Sequence, residues 1–308
     1  MSRFETFCRS FHKAVARTKK KIIIGGYDLH GVYCNWLLNH VSGRGADLIV
    51  DNDLCIYGVK IYRELQLADL DPTQYLGVVP HDKVYADMFR KYGIETVVLQ
   101  DVFLCEGFSY YDWLESKYGC DFLKTINRKD FDYDYRFATN SGASRQMGMI
   151  DVLNYLEMRI FFFMDGLKVL DVGCGKGGAI ELLSQSVFDK VDGIELSKSI
   201  CDIARKNMEL LKNPAEIINI SATEFDRYEE YDVLYLYDPF REDVFRAALR
   251  KFEEAAQKRR RPMLLIYANP YHHKDIVDGG VFEHIATIDT DFFHRNVKVY
   301  SSSEVVCL

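Results

Sequence analysis

Residues 167–178 read Leu-Lys-Val-Leu-Asp-Val-Gly-Cys-Gly-Lys-Gly-Gly, and this stretch decides the fold. Its apolar run with a carboxylate, Asp171, predicts a buried strand that leads into a glycine-rich turn, and the apolar pattern of residues 179–183 predicts a helix behind the turn. Glycine lets a backbone turn sharply and approach a ligand closely, because it has no Cβ. The first N–H groups of a helix have no partner within the helix, so they can bind a polar ligand. The stretch therefore predicts a ligand-binding strand–turn–helix unit.

The glycines of this turn fit two cofactor patterns. Gly173, Gly175 and Gly178 match G-x-G-x-x-G, the fingerprint of dinucleotide-binding folds. With Gly177 as the last glycine, the pattern is D-x-G-x-G-x-G from Asp171, which resembles the first motif of class I S-adenosylmethionine (SAM) methyltransferases. A carboxylate beside the turn suits a ligand with an ammonium group, such as the methionine end of SAM, and repels a pyrophosphate. We therefore favour SAM over NAD.

Two later elements carry the same resemblance. The predicted strand 190–195 ends at Glu195, whose carboxylate can accept hydrogen bonds from two ribose hydroxyl groups, as in NAD sites. A further strand ends in Asp-Pro-Phe at residues 238–240, which is similar to the catalytic-face motif of the methyltransferases. The resemblance covers residues from about 135 to 308 and implies a doubly wound class I methyltransferase fold with an antiparallel last strand.

The resemblance also implies roles for particular residues. Asp238 would face the methyl acceptor as a base or a clamp, in the extended geometry that Pro239 favours, and His272 is a second candidate base. Phe240 and Tyr271 would line the acceptor site with aromatic rings that attract the sulfonium. The residues expected to bind SAM are Tyr135, Ser141, Asp171, Gly173, Gly175, Gly177, Glu195, Leu196, Ser221 and Ala222.

An earlier part of the chain predicts a second, smaller sheet. Strand patterns that alternate with helical patterns occur at residues 21–26, where the strand leads into a turn, and at residues 47–50, 75–79 and 95–99. Such alternation predicts a parallel, Rossmann-like sheet. Its first turn lacks a full glycine fingerprint, but Asp51 stands where an acid that binds ribose would stand. The module is similar to small Rossmann-like domains of glycan-pathway enzymes, which implies a nucleotide or nucleotide-sugar partner. The alternative is a structural or dimerising domain, and hence a homodimer.

Length and charge set further expectations. A chain of 308 residues is long for one core, so we expect two domains, residues 1–125 and 126–308. The net charge of -7 argues against a general nucleic-acid binder. A basic run at residues 258–261 is a candidate RNA patch, but cations also stabilise a helix C-terminus, and we favour that interpretation.

Cysteine spacing and hydropathy bear on the location of the protein. The 8 cysteines form no C-x-x-C pair, which predicts reduced thiols and no metal centre. No apolar run approaches the ~20 residues that span a bilayer, and the first residues lack an apolar signal block. The expected location is the cytoplasm.

Three functional classes remain open at this point. The first is a SAM-dependent methyltransferase that acts on an O or N atom of a small molecule, a glycan precursor or a protein. The second is a non-catalytic protein that binds SAM or a nucleotide, and the third is an NAD-linked oxidoreductase. Asp171 and the Asp-Pro-Phe sequence at residues 238–240 argue against the third class.

Overall fold

Alternating strands and helices form two separate sheets, each in its own unit of the chain. The computed structural model describes residues 18–26, 43–52, 61–79, 83–98, 109–126, 166–186, 188–289 and 296–303, with single residues 15, 31, 34, 35, 38, 39, 149, 152, 153 and 156. Backbone contacts divide the two units between Ser109 and Tyr110. Residues 110–125 are thus grouped with the second sheet, whereas the domain boundary at 125/126 stays a prediction.

The first unit contains a five-stranded parallel sheet. Its strands are β1 (Lys21–Gly25), β2 (Leu48–Val50), β3 (Ile61–Tyr62), β4 (Tyr75–Val79) and β5 (Glu95–Val98). They pair in the order β3-β2-β1-β4-β5, which matches the first five strands of a doubly wound dinucleotide-binding fold. Strand β3 was not expected from the sequence, because two residues are too few to show a strand period.

Glycines in this sheet make room for the helix α1 (Lys83–Lys91). A Cβ at Gly77 would lie 2.4 Å from a ring carbon of Phe89, and one at Gly25 would lie 2.8 Å from the Cβ of Tyr85. Contacts this short are not possible, so the close approach of α1 to the sheet requires glycine at both positions. Two short 3-10 segments, Glu64–Asp69 and Pro72–Gln74, connect β3 to β4.

The second unit contains a seven-stranded sheet with helices. Its strands are β6 (Lys168–Val172), β7 (Lys190–Glu195), β8 (Ile217–Asn219), β9 (Val233–Tyr237), β10 (Leu264–Ala268), β11 (Glu283–Ile288) and β12 (Val297–Ser301). Its described helices are α2 (Ser109–Tyr118), α3 (Gly178–Leu183), α4 (Lys198–Leu211), α5 (Glu242–Lys258) and α6 (His273–Gly279). The strand order is β11-β12-β10-β9-β6-β7-β8, and β12 runs antiparallel to both of its neighbours. The expected antiparallel last strand is confirmed.

The two faces of this sheet differ in character because side chains alternate along each strand. On one face, apolar side chains of the central strands pack against α5. Buried members of this cluster are Leu170, Val172, Leu234, Leu236, Phe245 and Phe252. The intervening residues Asp171 and Tyr235 are register partners on β6 and β9, so they lie side by side on the opposite face.

A buried ion pair ties the start of β9 to the end of α5. Asp232 accepts a hydrogen bond from the Lys168 backbone N–H at 3.0 Å, and it pairs with the Arg259 guanidinium. Arg261 approaches the same carboxylate at 4.0 Å. The basic run at the end of α5 is therefore used in part to neutralise Asp232, which neither interpretation of that run anticipated.

We predict that Arg259→Ala lowers the free energy of unfolding by about 3 kcal/mol, because it leaves Asp232, with a side chain only 7% exposed, short of its main counter-charge. Urea denaturation measures this loss. Arg260→Ala, at an exposed neighbouring position, is the matched control and should change stability little. Equal unfolding curves for the two variants would contradict a structural role for the ion pair.

Candidate functional site

The turn between β6 and α3 needs glycine at three positions. Gly173, Gly175 and Gly177 have φ angles of 84, 53 and 84°, in the left-handed region that other residues rarely adopt. Gly178 is not among the residues with positive φ and is the first residue of α3. The three left-handed glycines are those of the D-x-G-x-G-x-G pattern, so the backbone fits this pattern at every glycine.

Gly173 also brings the loop after β9 onto this turn. A Cβ at Gly173 would lie 2.5 Å from the Cβ of Pro239 and 3.9 Å from a ring carbon of Phe240. Phe240 is itself partly buried against the α5 side of the core. The structure therefore brings the glycine turn and the Asp-Pro-Phe segment together.

Glu195 is fixed at the end of β7 by two backbone donors. Its Oε2 accepts a hydrogen bond from the Gly175 N–H at 3.1 Å, and its Oε1 accepts one from the Ser197 N–H at 2.9 Å. The Asn219 amide donates to the carbonyl oxygens of Glu195 and Leu196 at 3.0 and 2.8 Å. Leu196 is 40% exposed, so an apolar side chain lies open beside an oriented carboxylate.

Asp171 is a buried carboxyl group near Glu195. Burial raises its pKa to about 8, and the negative charge of Glu195 contributes to the same shift. Among the described residues, no group donates a hydrogen bond to this carboxyl. No hydrogen bond therefore lowers its pKa back toward the ordinary value. At neutral pH the ligand-free protein therefore keeps a proton on Asp171, and a cation in contact with the group would favour its charged form.

Ser221 and Ala222, expected to bind the cofactor, form a tight turn after β8. The Ser221 hydroxyl lies 2.8 Å from the Thr223 hydroxyl and accepts a hydrogen bond from the Thr223 N–H at 3.2 Å. The Tyr228 hydroxyl donates to the Ala222 carbonyl at 2.7 Å. These contacts hold the turn in place, and a role in binding stays a prediction. Tyr135 and Ser141 lie outside the described residues.

Asp238 follows β9, but the expectation that it is extended is wrong. Its φ is 41°, and its Oδ1 accepts a hydrogen bond from the Tyr267 hydroxyl at 3.3 Å. Asn269, which also precedes a proline, follows the neighbouring strand β10 with a φ of 54°. Asp and Asn tolerate the left-handed region better than most residues, so an immediate turn outweighs the preference imposed by the following proline. Such strained positions concentrate at functional sites.

The remaining acceptor-side candidates lie near α6. The His272 ring stacks on Phe245 with centroids 4.5 Å apart, and its Nδ1 lies 3.5 Å from Oδ2 of Asp275. Phe245 also stacks on Tyr267, with ring centroids 5.3 Å apart, and the Tyr267 hydroxyl donates to Asp238. The His272 ring is therefore linked to Asp238 through two aromatic side chains. Tyr271 is 53% exposed. Catalysis by His272 and acceptor binding by Tyr271 stay predictions.

Sequence reasoning missed the residues that support the turn from α2 and the segment after it. The Tyr111 hydroxyl donates to the Gly178 carbonyl at 2.9 Å. The buried Lys176 ammonium pairs with Asp121, and the Asn207 amide donates to the Lys176 carbonyl at 3.0 Å. These partners are 31 to 67 residues apart in the chain, so no local pattern could reveal them.

Asp51 marks the corresponding end of the first sheet. It is 5% exposed, its N–H donates to the Tyr62 carbonyl at 3.0 Å, and its own carbonyl accepts from Arg63 at 2.7 Å. Gly26 enters the first turn with a φ of 81°, and residues 27–30 of that turn lie outside the described part of the chain. A nucleotide or nucleotide-sugar partner, like a homodimer, stays a prediction.

Cysteines, metal ligands and membrane spans add little to the site. The four cysteines that the structure describes, Cys34, Cys120, Cys174 and Cys201, are buried free thiols. Among the described residues, no three His, Cys, Asp or Glu side chains are grouped so as to hold a metal ion. Within the same parts of the chain, no helix has both the length and the apolar character needed to cross a bilayer.

We predict that Asp171→Asn raises stability increasingly as pH rises. The raised pKa means that the folded protein binds a proton which the unfolded chain releases between about pH 4 and pH 8. Wild-type stability should therefore fall across this interval relative to the variant, by at most about 1.4 kcal/mol per pH unit. Urea denaturation at pH 5.5, 7.0 and 8.5 tests this, with the exposed Asp202→Asn as the control. A variant-minus-wild-type difference that does not change with pH would contradict the burial of an uncompensated carboxyl.

Solved structures of methyltransferases resemble part of the chain. Magnesium protoporphyrin IX methyltransferase from Synechocystis PCC 6803, with bound SAM, has 19% identity and a TM-score of 0.40 over 67% of this chain and 95% of its own. An amino pentose methyltransferase from Micromonospora echinaspora has 13% identity and a TM-score of 0.40, covering 50% and 90%. A tRNA (uracil-54, C5)-methyltransferase from Pyrococcus abyssi has 16% identity and a TM-score of 0.39, covering 51% and 38%.

The sequence of part of the second unit matches a family model. The model of the methyltransferase domain matches residues 169–258, which include the glycine turn, Glu195 and Asp238. No curated protein matches the chain. The strand order of the second sheet, with its antiparallel β12, agrees with the fold that the sequence resemblance implied. Residues 169–258 of this chain therefore match the methyltransferase domain family, within a unit whose sheet has an antiparallel last strand.

Proposed function

We propose that the chain is a SAM-dependent methyltransferase, which transfers a methyl group to an O or N atom of its acceptor. The observation that carries this proposal is the link between the glycine turn and the end of β7. There the Gly175 N–H donates to the Glu195 carboxylate at 3.1 Å, beside the buried Asp171. The methyltransferase family match over residues 169–258 supports the same assignment.

The proposed cofactor lies across the ends of β6, β7 and β8. Glu195 would accept hydrogen bonds from the ribose hydroxyl groups, because two backbone N–H groups orient its carboxylate at the end of β7 and a carboxylate oxygen can accept more than one hydrogen bond. Leu196 offers apolar surface to the adenine, and Ser221 and Ala222 border the same base. The glycine turn and Asp171 receive the methionine end, and Tyr135 and Ser141 are proposed to cover the cofactor.

The chemistry places specific demands on the acceptor side. Methyl transfer from a sulfonium is an in-line displacement that removes the positive charge on sulfur, so the site must align the acceptor with the methyl group. Phe240 packs near Gly173 and is proposed as a wall of this site, with Tyr271 on the outer side. Asp238 is proposed to accept the proton of a hydroxyl or ammonium acceptor.

The proposed base, Asp238, limits the class of acceptor. A carboxylate base suits an acceptor that loses a proton, such as a hydroxyl or an amine on a small molecule, a glycan precursor or a protein. A second interpretation, a protein that binds SAM without turnover, differs in that Asp238 has no proton to remove. Transfer of label from methyl-labelled SAM to fractionated small molecules, glycan precursors and proteins distinguishes the two.

We predict that wild type binds SAM, and that Glu195→Gln weakens binding by roughly ten- to a hundred-fold, the cost of one charged hydrogen-bonding partner. Calorimetry with SAM and with NAD measures both affinities. Glu209→Gln, at an exposed position of α4, is the control and should bind SAM as wild type does. Binding of NAD with no heat from SAM would overturn the proposed function.

We predict that Asp238→Asn lowers the rate of methyl transfer by about 10²- to 10⁴-fold while SAM affinity stays nearly unchanged, because the amide keeps the shape but cannot accept a proton. Label transfer and calorimetry on the same preparation give the two quantities. A clamp role would instead show a milder loss of rate together with weaker binding of SAM or acceptor. Wild-type values for both would show that Asp238 serves only to end β9.

A further inference from the structure

A second group of polar side chains lies at the edge of the larger sheet. It comprises His273 at the start of α6, His284 and Thr287 in β11, and Lys298 and Tyr300 in β12. Nδ1 of His273 lies 2.8 Å from the Tyr300 hydroxyl, and the ring centroids of the two histidines are 5.4 Å apart. The Thr287 hydroxyl oxygen accepts a hydrogen bond from Lys298 Nζ at 3.2 Å and lies 3.0 Å from Nε2 of His284. Two imidazoles and an ammonium group therefore share one small area.

An irregularity in β11 brings these residues to one face of the sheet. His284 and Thr287 are three residues apart, so in a regular strand their side chains would leave opposite faces. The register of β11 against β12 shifts between His284 and Ala286, which pairs His284 with Tyr300 and Thr287 with Lys298. Lys298 and Tyr300 are two residues apart and share a face. Bulges of this kind re-aim side chains and are frequent beside active sites.

Acidic side chains of the neighbouring elements are directed elsewhere. Asp275 of α6 pairs with Arg246 of α5 at 2.9 Å. Glu283 directly precedes His284, so its side chain leaves β11 on the opposite face. Lys298 has no ion pair within the described parts of the chain. Further titratable groups of these elements are engaged or exposed: His272 lies 3.5 Å from Asp275, Asp289 accepts a hydrogen bond from Asn296, and Lys274 and Asp278 are exposed.

The electrostatics of this group favour an anion as its ligand. Partial burial of the two rings and the positive charge of Lys298 lower the pKa of His273 and of His284. The ligand-free protein therefore keeps both rings mostly neutral at pH 7. An anion in contact with them stabilises their charged forms, so each ring can take up a proton from solvent as the anion binds.

Proton uptake by His284 also changes the direction of the Thr287 hydroxyl. His284 has a hydrogen bond with the Ala286 backbone that favours its protonated form, so the neutral ring donates there and its Nε2 accepts from Thr287. When Nε2 gains a proton it becomes a donor, and the hydroxyl hydrogen of Thr287 is then free to point at a ligand. The Thr287 oxygen keeps its bond from Lys298, whose other N–H groups are directed elsewhere.

A phosphate monoester matches the resulting set of donors. The Tyr300 hydroxyl occupies Nδ1 of His273, so Nε2 is the nitrogen of this ring that is left for a ligand. Together with Thr287 and Lys298, this gives donors on three side chains. A phosphate monoester has three terminal oxygens and up to two negative charges, whereas a carboxylate has two oxygens and one charge.

The polar group lies on the acceptor side of the proposed methyltransferase site. Lys298 is the register partner of Tyr267 in β10, so the two side chains leave the sheet on the same face. The Tyr267 hydroxyl donates to Asp238, the proposed base, at 3.3 Å. Only β10 therefore separates Lys298 from the strand that ends at Asp238.

We propose that His273, Thr287 and Lys298, with His284 behind Thr287, form a binding site for a phosphate monoester group carried by the methyl acceptor. This inference rests on the proposed function and adds to it the chemical class of the acceptor. The two histidines take up protons when the phosphate binds, which balances its charge.

Calorimetry of the full chain with glycerol 3-phosphate and with sulfate tests the site. Both should bind to wild type. Sulfate keeps its two charges between pH 6 and pH 8, so any change in its affinity reports on the protein. That affinity should rise as pH falls from 8 to 6, by at most about tenfold per pH unit for each proton taken up. In NMR titrations, the imidazole signals of His273 and His284 should titrate at higher pH when sulfate is present.

Two variants and one control locate the binding. Lys298→Met should weaken both ligands by about tenfold or more, because it removes a charged donor. It should also raise the pKa of both histidines in the ligand-free protein, because a neighbouring positive charge is lost. Thr287→Ala, at an exposed position that does not threaten the fold, should weaken both ligands as well. Lys206→Met makes the same change of charge at an exposed position of α4 and should bind both as wild type does.

The link to the acceptor has its own test. Treatment of the candidate acceptors with phosphatase before the label-transfer assay should abolish labelling from SAM. Labelling that survives this treatment would overturn the acceptor class.

Other results overturn the inference in distinct ways. Wild-type affinity in Lys298→Met, or a sulfate affinity that does not change with pH, would show that these residues do not form the site. Binding of sulfate without glycerol 3-phosphate would exclude a phosphate ester. If wild type binds SAM but not glycerol 3-phosphate, only the inference fails. If it does not bind SAM, the proposed function fails, and the assignment of the site to a methyl acceptor fails with it.

Discussion

The second unit depends most on one contact, the pair of hydrogen bonds that Glu195 accepts from Gly175 and Ser197. It joins the turn after β6 to the start of α4, so that two segments 20 residues apart form one surface. The contact requires the left-handed glycines, because only such a turn directs the Gly175 N–H at the end of β7. It also fixes the orientation of a carboxylate at the end of β7, beside the exposed side chain of Leu196.

Electrostatics then decides what kind of ligand this surface suits. Asp171 and Glu195 are close enough for the charge of one to raise the pKa of the other, and Asp171 is buried as well. Such a pair is costly when both groups are ionised, and a cation relieves the cost. A dinucleotide would bring a pyrophosphate to the same turn and increase the repulsion. The glycine pattern alone admits both cofactors, whereas the carboxyl pair favours a cationic one.

Local sequence patterns predicted much of this site. The apolar run of β6 and the glycines behind it follow one another directly, and the acid at the end of β7 comes 20 residues after Gly175, so each pattern reflects the local backbone. The same reasoning gave the antiparallel β12 through the family resemblance. Strand β3 was missed because it has two residues.

Features that depend on contacts between residues far apart in the chain could not be predicted from sequence patterns. The register of β6 against β9 places Asp171 beside Tyr235, and no spacing within either strand shows it. The ion pair of Asp232 with Arg259 joins the start of a strand to the end of a helix. The φ of Asp238 follows from the turn at the edge of the sheet, which outweighs the local effect of Pro239.

The most direct test of the account is a crystal structure of the full chain with S-adenosylhomocysteine. We predict that the ribose hydroxyl groups lie within hydrogen-bond distance of the Glu195 carboxylate, with the amino-acid end over the turn at Gly173 and Gly175. The same ligand bound to the first sheet near Asp51, or bound with its ribose away from Glu195, would contradict the account.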